Sequence, residues 1–152
     1  MPPWLPYAAG AAALLALLAL RCRHCCARKR SLRTATPSDV LHAEQHASGY
    51  SHRSLLTRLG GIARGVELIV THDKLFVDVT YPFALVAEQV DLCHRIALDS
   101  IESVAARRLG PALECIITFR NDHGVSRQLS VFPESPDRFL RALGTTAPEL
   151  IR

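Results

Sequence analysis

Residues 4–20, WLPYAAGAAALLALLAL, run for seventeen positions without a charge, and residues 21–33, RCRHCCARKRSLR, follow with six basic side chains and no acid. This junction constrains the chain more than any other feature. A helix of that length rises ~1.5 Å per residue and reaches roughly 25 Å, a little short of the ~30 Å hydrocarbon core. Pro2 and Pro3 can extend it, and Trp4 and Tyr7 suit an interfacial aromatic belt. Its six leucines and seven alanines leave no polar face for a buried amphipathic helix. A cleaved secretory signal carries its positive charge ahead of the apolar run, not after it, and Arg21 before Cys22 is no small-residue processing site. The expectation is an uncleaved, single-pass signal anchor over residues 1–20. Arg21, Arg23, Arg28, Lys29, Arg30 and Arg33 then form an electrostatic patch against anionic lipid headgroups. The one-sided charge predicts an outside N-terminus and a cytoplasmic remainder.

The formal net charge of +4 superficially suits a nucleic-acid partner. Residues 34–152, however, hold twelve basic and fourteen acidic groups, so the basicity belongs to the 21–33 cluster and a nucleic-acid binder is excluded. The 119 residues after Arg33 suffice for one core. Five cysteines, an odd number, in a cytoplasmic setting predict free thiols.

Residues 21–52 are expected to be a basic juxtamembrane segment and linker. Within it, Thr36 as N-cap, Pro37 at the first helical position and Gly49 as a stop predict one short helix. Ser54–Arg64 is ambiguous because Gly60-Gly61 breaks a helix or a strand alike. From Gly65 the apolar period becomes two. Val66, Leu68 and Val70, then Leu75, Val77, Val79 and Tyr81, predict a hairpin turning at His72-Asp73-Lys74. Further strands are expected at Ile96–Leu98 and Ile101–Arg108, beyond which Gly110-Pro111 turns the chain. Leu113, Cys115, Ile117 and Phe119 alternate into a second hairpin closed by Asn121–Gly124. Ser135-Pro136-Asp137 opens a helix with Phe139, Leu140 and Leu143 on one stripe and Gly144 as its stop. The predicted class is α+β: an N-terminal transmembrane helix, then a curved antiparallel sheet or partly open barrel capped by a C-terminal helix. The predicted domain covers 53–147, with 148–152 as a tail.

GVELIVTHDKLFV, RIALDSIESVAARR, LECIITFR-NDHG-VSRQLSVF and SPDRFLRAL together resemble a bacterial pleckstrin-homology-like domain of the GRAM type. The likeness covers roughly residues 65–144, and Ile96–Ile101 is its most telling piece. It implies a non-catalytic module that binds proteins, peptides or lipid headgroups. The chain departs from the pattern by its PFALVAEQVDL stretch. It also lacks a basic cluster at His72-Asp73-Lys74, where relatives that bind phosphoinositides carry one.

Chemistry-bearing residues are sparse. Cys22, His24, Cys25 and Cys26 are the densest soft-ligand set, a weak candidate for metal binding or thiol redox work, since arginines beside them repel cations and activate thiols. His42 and His46 share a helix face if that stretch is helical, but Glu44 stands at neither position a zinc-protease motif requires. His94 reads as surface and Cys115 as core. No phosphate loop, nucleophile elbow or triad spacing appears, so neither enzyme activity nor a cofactor nor a small-molecule substrate is expected. Residues 82–92 are the candidate contact element, with Phe83, Leu85 and Val86 as its patch. The expected function is a membrane-tethered binding module for a protein or lipid headgroup, with an unidentified membrane-protein partner in view. The alternative is a thiol-dependent redox or metal protein.

Overall fold

In the computed structural model, residues 37–80, 82–83, 90–144 and 149–151 are described, and all belong to one unit that begins at Ala35. The strands are β1 (Val40–Ser51), β2 (Ile62–Thr71), β3 (Lys74–Val79), β4 (His94–Ala97), β5 (Ile101–Leu109), β6 (Ala112–Arg120), β7 (Ser126–Phe132) and β8 (Glu149–Ile151). Two short helices join them, α1 (Leu55–Leu59) and α2 (Pro136–Ala142). One sheet holds all eight strands in the order β4-β3-β2-β1-β7-β6-β5-β8. Seven pair antiparallel, and β8 adds to β5 in parallel.

β4 and β5 follow each other through a three-residue turn, Leu98–Ser100, yet occupy the first and seventh places in that order. A flat sheet cannot satisfy both, so this one curls until its ends approach. The His94 ring of β4 meets the Phe119 ring of β6 at 5.4 Å. One face encloses a single core. Val66, Leu68 and Val70 of β2 and Leu75, Val77 and Val79 of β3 meet Cys115, Ile117 and Phe119 of β6 and Leu129 and Val131 of β7. Phe139 and Leu140 of α2 complete it. Burying each such side chain contributes roughly 1.5–3 kcal/mol.

The predicted α+β class with a membrane-spanning helix is corrected. The described unit is a β-sheet with helices of five and seven residues, and among the described residues no helix is long and apolar enough to cross a membrane. The expected single-pass anchor therefore finds no support in any described helix. The proposed span at residues 1–20 and the basic cluster at 21–33 lie outside the described residues.

The helix predicted to start at Pro37 is also corrected. Pro37–Asp39 make a single tight turn, and the twelve-residue strand β1 follows. β1 is central: it pairs with β2 along most of its length and through Ser48–Ser51 with β7. Its register against β2 shifts between Glu44 and Ala47. Val40, His42 and Glu44 lie opposite Thr71, Val70 and Leu68, whereas beyond the shift Ala47, Gly49 and Ser51 are the buried positions. A bulge thus moves the inward set from even to odd numbers, and three of its members, His42, Glu44 and Ser51, are polar.

Local turn chemistry secures the hairpins. Thr71 accepts from the Lys74 N–H at 3.1 Å in the β2–β3 turn. The Asn121 carboxamide oxygen accepts from the N–H groups of His123 and Val125, and Gly124 takes φ +73° in the β6–β7 turn. At α2, Pro136 occupies the first helical position as predicted, but the Ser135 side chain makes no cap bond.

Candidate functional site

The β1–β2 connection, Ser51 to Gly61, carries the most unusual surface of the described residues. Ser54 adopts an extended conformation and caps α1. Its hydroxyl accepts from the Thr57 N–H at 3.2 Å, while the Thr57 hydroxyl accepts from the Ser54 N–H at 2.9 Å. The Thr57 hydroxyl also lies 3.0 Å from the Ser51 carbonyl oxygen and donates back to β1, so Thr57 is buried against the sheet. Five helical residues with Thr57 turned inward leave the leucines nowhere to go but out. Leu55, Leu56 and Leu59 are 71%, 81% and 78% exposed. Scattered exposed leucines are ordinary, but three on one short, doubly capped helix form a patch.

Cations flank α1 along the chain. Arg53, Arg58 and Arg64 are exposed, and no Asp or Glu occurs between Glu44 and Glu67. Arg53 lies 3.6 Å from Asp91 and Arg64 lies 3.8 Å from Glu134, both long for an ion pair at the surface. Next to α1 an open cleft of about 340 Å³ is lined by His52, Arg53, Thr118, Ser126, Arg127 and Gln128, with Val125 at the same site. Burial lowers the His52 pKa, and the nearby Arg58 lowers it further.

A second polar constellation sits under the neighbouring outer face. Glu114 of β6 is fully buried, although it points away from the apolar core. Arg107, its partner across the β5–β6 ladder, donates from Nε at 2.9 Å and from Nη2 at 2.6 Å to Glu114 Oε2. The Tyr50 hydroxyl donates to Glu114 Oε1. Ser130 is fully buried between them, and its hydroxyl lies 2.8 Å from His52 Nε2. Burial pushes the Glu114 carboxyl up, but bonds from Tyr50, Ser130 and Arg107 outweigh it and hold the group below its ordinary value. Burial and the bond to Glu114 raise the Tyr50 hydroxyl. Every Glu114 oxygen is thus engaged, and the arrangement ties β1, β7, β6 and β5 together as a structural pin.

The residues singled out from sequence fall as follows. Phe83 is 39% exposed and its ring lies over Gly65, where an added Cβ would come within 2.5 Å of Phe83 Cδ2. Leu85 and Val86 lie outside the described residues, while Leu92 at the end of the same segment is core. Cys22, His24, Cys25 and Cys26 also lie outside them. Among the described residues no group of three or more His, Cys, Asp or Glu could hold a metal ion. His42 and His46 sit on a strand, not a helix. The His42 ring meets Phe139 at 5.8 Å, and its Nε2 lies 3.4 Å from Glu44 Oε2. The Cys93 thiol donates to Asp78 at 3.3 Å, and burial pushes the Cys115 thiol up to about 12.

Two features escaped the sequence. The Glu114 pin looked like an ordinary outward position of an alternating strand. The leucine face did carry a signal, Ser54-x-x-Thr57 enclosing Leu55 and Leu56 with Leu59 one turn on, which the Gly60-Gly61 break obscured. The chain matches no family model and no curated protein.

Proposed function

We propose that this chain is a non-catalytic binding module whose contact surface is the β1–β2 connection. The observation that carries it is the exposure of Leu55, Leu56 and Leu59 on a helix capped at both ends. Desolvating a leucine contributes roughly 1.5–3 kcal/mol, so three on one face are a sizeable reward for any partner that covers them. The fold needs none of these side chains, because Thr57 and the capping bonds anchor the helix without them. Binding of a protein, peptide or lipid headgroup is also what the resemblance to pleckstrin-homology-like domains implies. The leucine face supports that role from a different part of the chain, since the likeness begins near residue 65.

The test is native mass spectrometry of the full chain, affinity-purified in a mild detergent from the membranes and cytosol of its own cells. It is run beside the combined Leu55→Ser, Leu56→Ser and Leu59→Ser variant. A bound species present on the wild type and lost from a variant with unchanged circular dichroism supports the proposal. Identical spectra for the two proteins overturn it.

A further inference from the structure

Resting on that reading, we infer that the partner of the leucine face is the surface of an anionic bilayer, entered at one leaflet and not spanned. The geometry suits an interface. A helix lying in the interface sinks its apolar face ~5–10 Å, and side chains reach ~5–6 Å from a helix axis, so the outward leucines of α1 match that depth. Leu55, Leu56 and Leu59 supply the part that enters the acyl boundary. Arg53 and Arg58 stand exposed on the same connection, and no carboxylate among the described residues forms an ion pair with Arg58. Their long stems let the guanidinium groups stay at headgroup level while the leucines go deeper.

The other occupants fit worse. Three leucines make a patch of a few hundred Å², well below the ~800 Å² per partner of a stable protein interface. A second copy is disfavoured by charge. A two-fold contact through α1 would set Arg53 and Arg58 of one molecule against the same arginines of the other. An anionic leaflet instead complements them, and also the six basic residues of 21–33.

Trp4 is the sole tryptophan, so a Trp4→Phe background leaves room for one reporter in the full chain. Leu56→Trp places it on α1. Leu109→Trp places it on an exposed residue at the opposite end of the β5–β6 ladder from the β6–β7 turn. Each protein is mixed with phosphatidylcholine vesicles containing roughly one-quarter phosphatidylserine, with bromine on the acyl chains. The expected result is blue-shifted, quenched emission from position 56 and unchanged emission from position 109. Arg53→Gln with Arg58→Gln should weaken the position-56 quenching at least threefold. Unquenched emission at position 56, or equal quenching at both positions, overturns the inference. If the triple-serine variant has meanwhile lost a bound protein, the binding-module reading stands and only the bilayer assignment falls.

Discussion

Glu44 and Ser135 meet across 91 positions of sequence: the carboxylate of a residue in the middle of β1 accepts the Ser135 backbone N–H at 3.2 Å. Its other oxygen accepts the N–H of Glu134 at 2.5 Å. The approach to α2 is thus capped from a distant strand, and the negative charge lies where the helix dipole favours it.

Glu44→Ala is therefore expected to cost about 1–2 kcal/mol, the usual worth of a charged cap. Glu44→Gln, which keeps an acceptor without the charge, should cost less. Urea unfolding gives both numbers, and amide exchange should show faster opening of Pro136–Ala142. Equal stability of wild type and Glu44→Ala would mean that the Glu44 bonds to the Glu134 and Ser135 N–H groups do not hold α2 in place.

Glu114→Gln should destabilise the fold by about 1–3 kcal/mol, because the amide cannot accept on both oxygens from Tyr50 and Arg107. Glu114→Ala should cost more than Glu114→Gln, since it strands Tyr50, Ser130 and Arg107 together. A larger loss for Gln than for Ala in chemical denaturation would contradict the pin.

Glu114 and His52 contribute to the acid response beside the exposed Asp73 and Glu102, whose carboxyls are held below their ordinary values by bonds from Thr71 and Arg120. Glu114 has a folded pKa below its ordinary 4.5, so its contribution is present above that value and is lost as pH falls through the folded pKa. His52 has a folded pKa below its ordinary 6.5. Between the two His52 values the unfolded chain binds the extra proton, so stability already declines as pH drops below 6.5. Melting temperature measured against pH should fall in two stages. Glu114→Gln should shrink the lower one, which Asp73 and Glu102 share, and His52→Gln should remove the upper.

Gly65 and Phe83 should couple. A methyl at position 65 meets Phe83 Cδ2 at 2.5 Å and Ile62 Cγ2 at 2.7 Å, so Gly65→Ala should cost about 1–3 kcal/mol. Combining it with Phe83→Ala should recover at least about 0.5 kcal/mol of that loss, measured as a double-mutant cycle. Strict additivity would show that Phe83 does not rest on Gly65.

What could be read from the amino-acid order alone was what depends on near neighbours. Val66 to Val79 alternates about a Thr71–Lys74 turn, Leu113 to Val131 about Asn121–Gly124, and Ser135-Pro136 opens a helix, because each signal lies within a few residues of its effect. From sequence β1 reads as a helical linker for an equally physical reason. Its inward positions include His42 and Glu44, and the bulge before Ala47 exchanges the buried parity, so no apolar period survives. Only pairing with β2 and with β7, some eighty residues away, makes that segment a central strand. The same holds for chemistry. Glu114 is a pin only because the ladders bring Arg107, Tyr50 and Ser130 around it, and the leucines of α1 face outward only because Thr57 finds the Ser51 carbonyl. Local order supplies turns, caps and alternation, whereas which face is buried and which charge finds a partner are settled by strands that meet far along the chain.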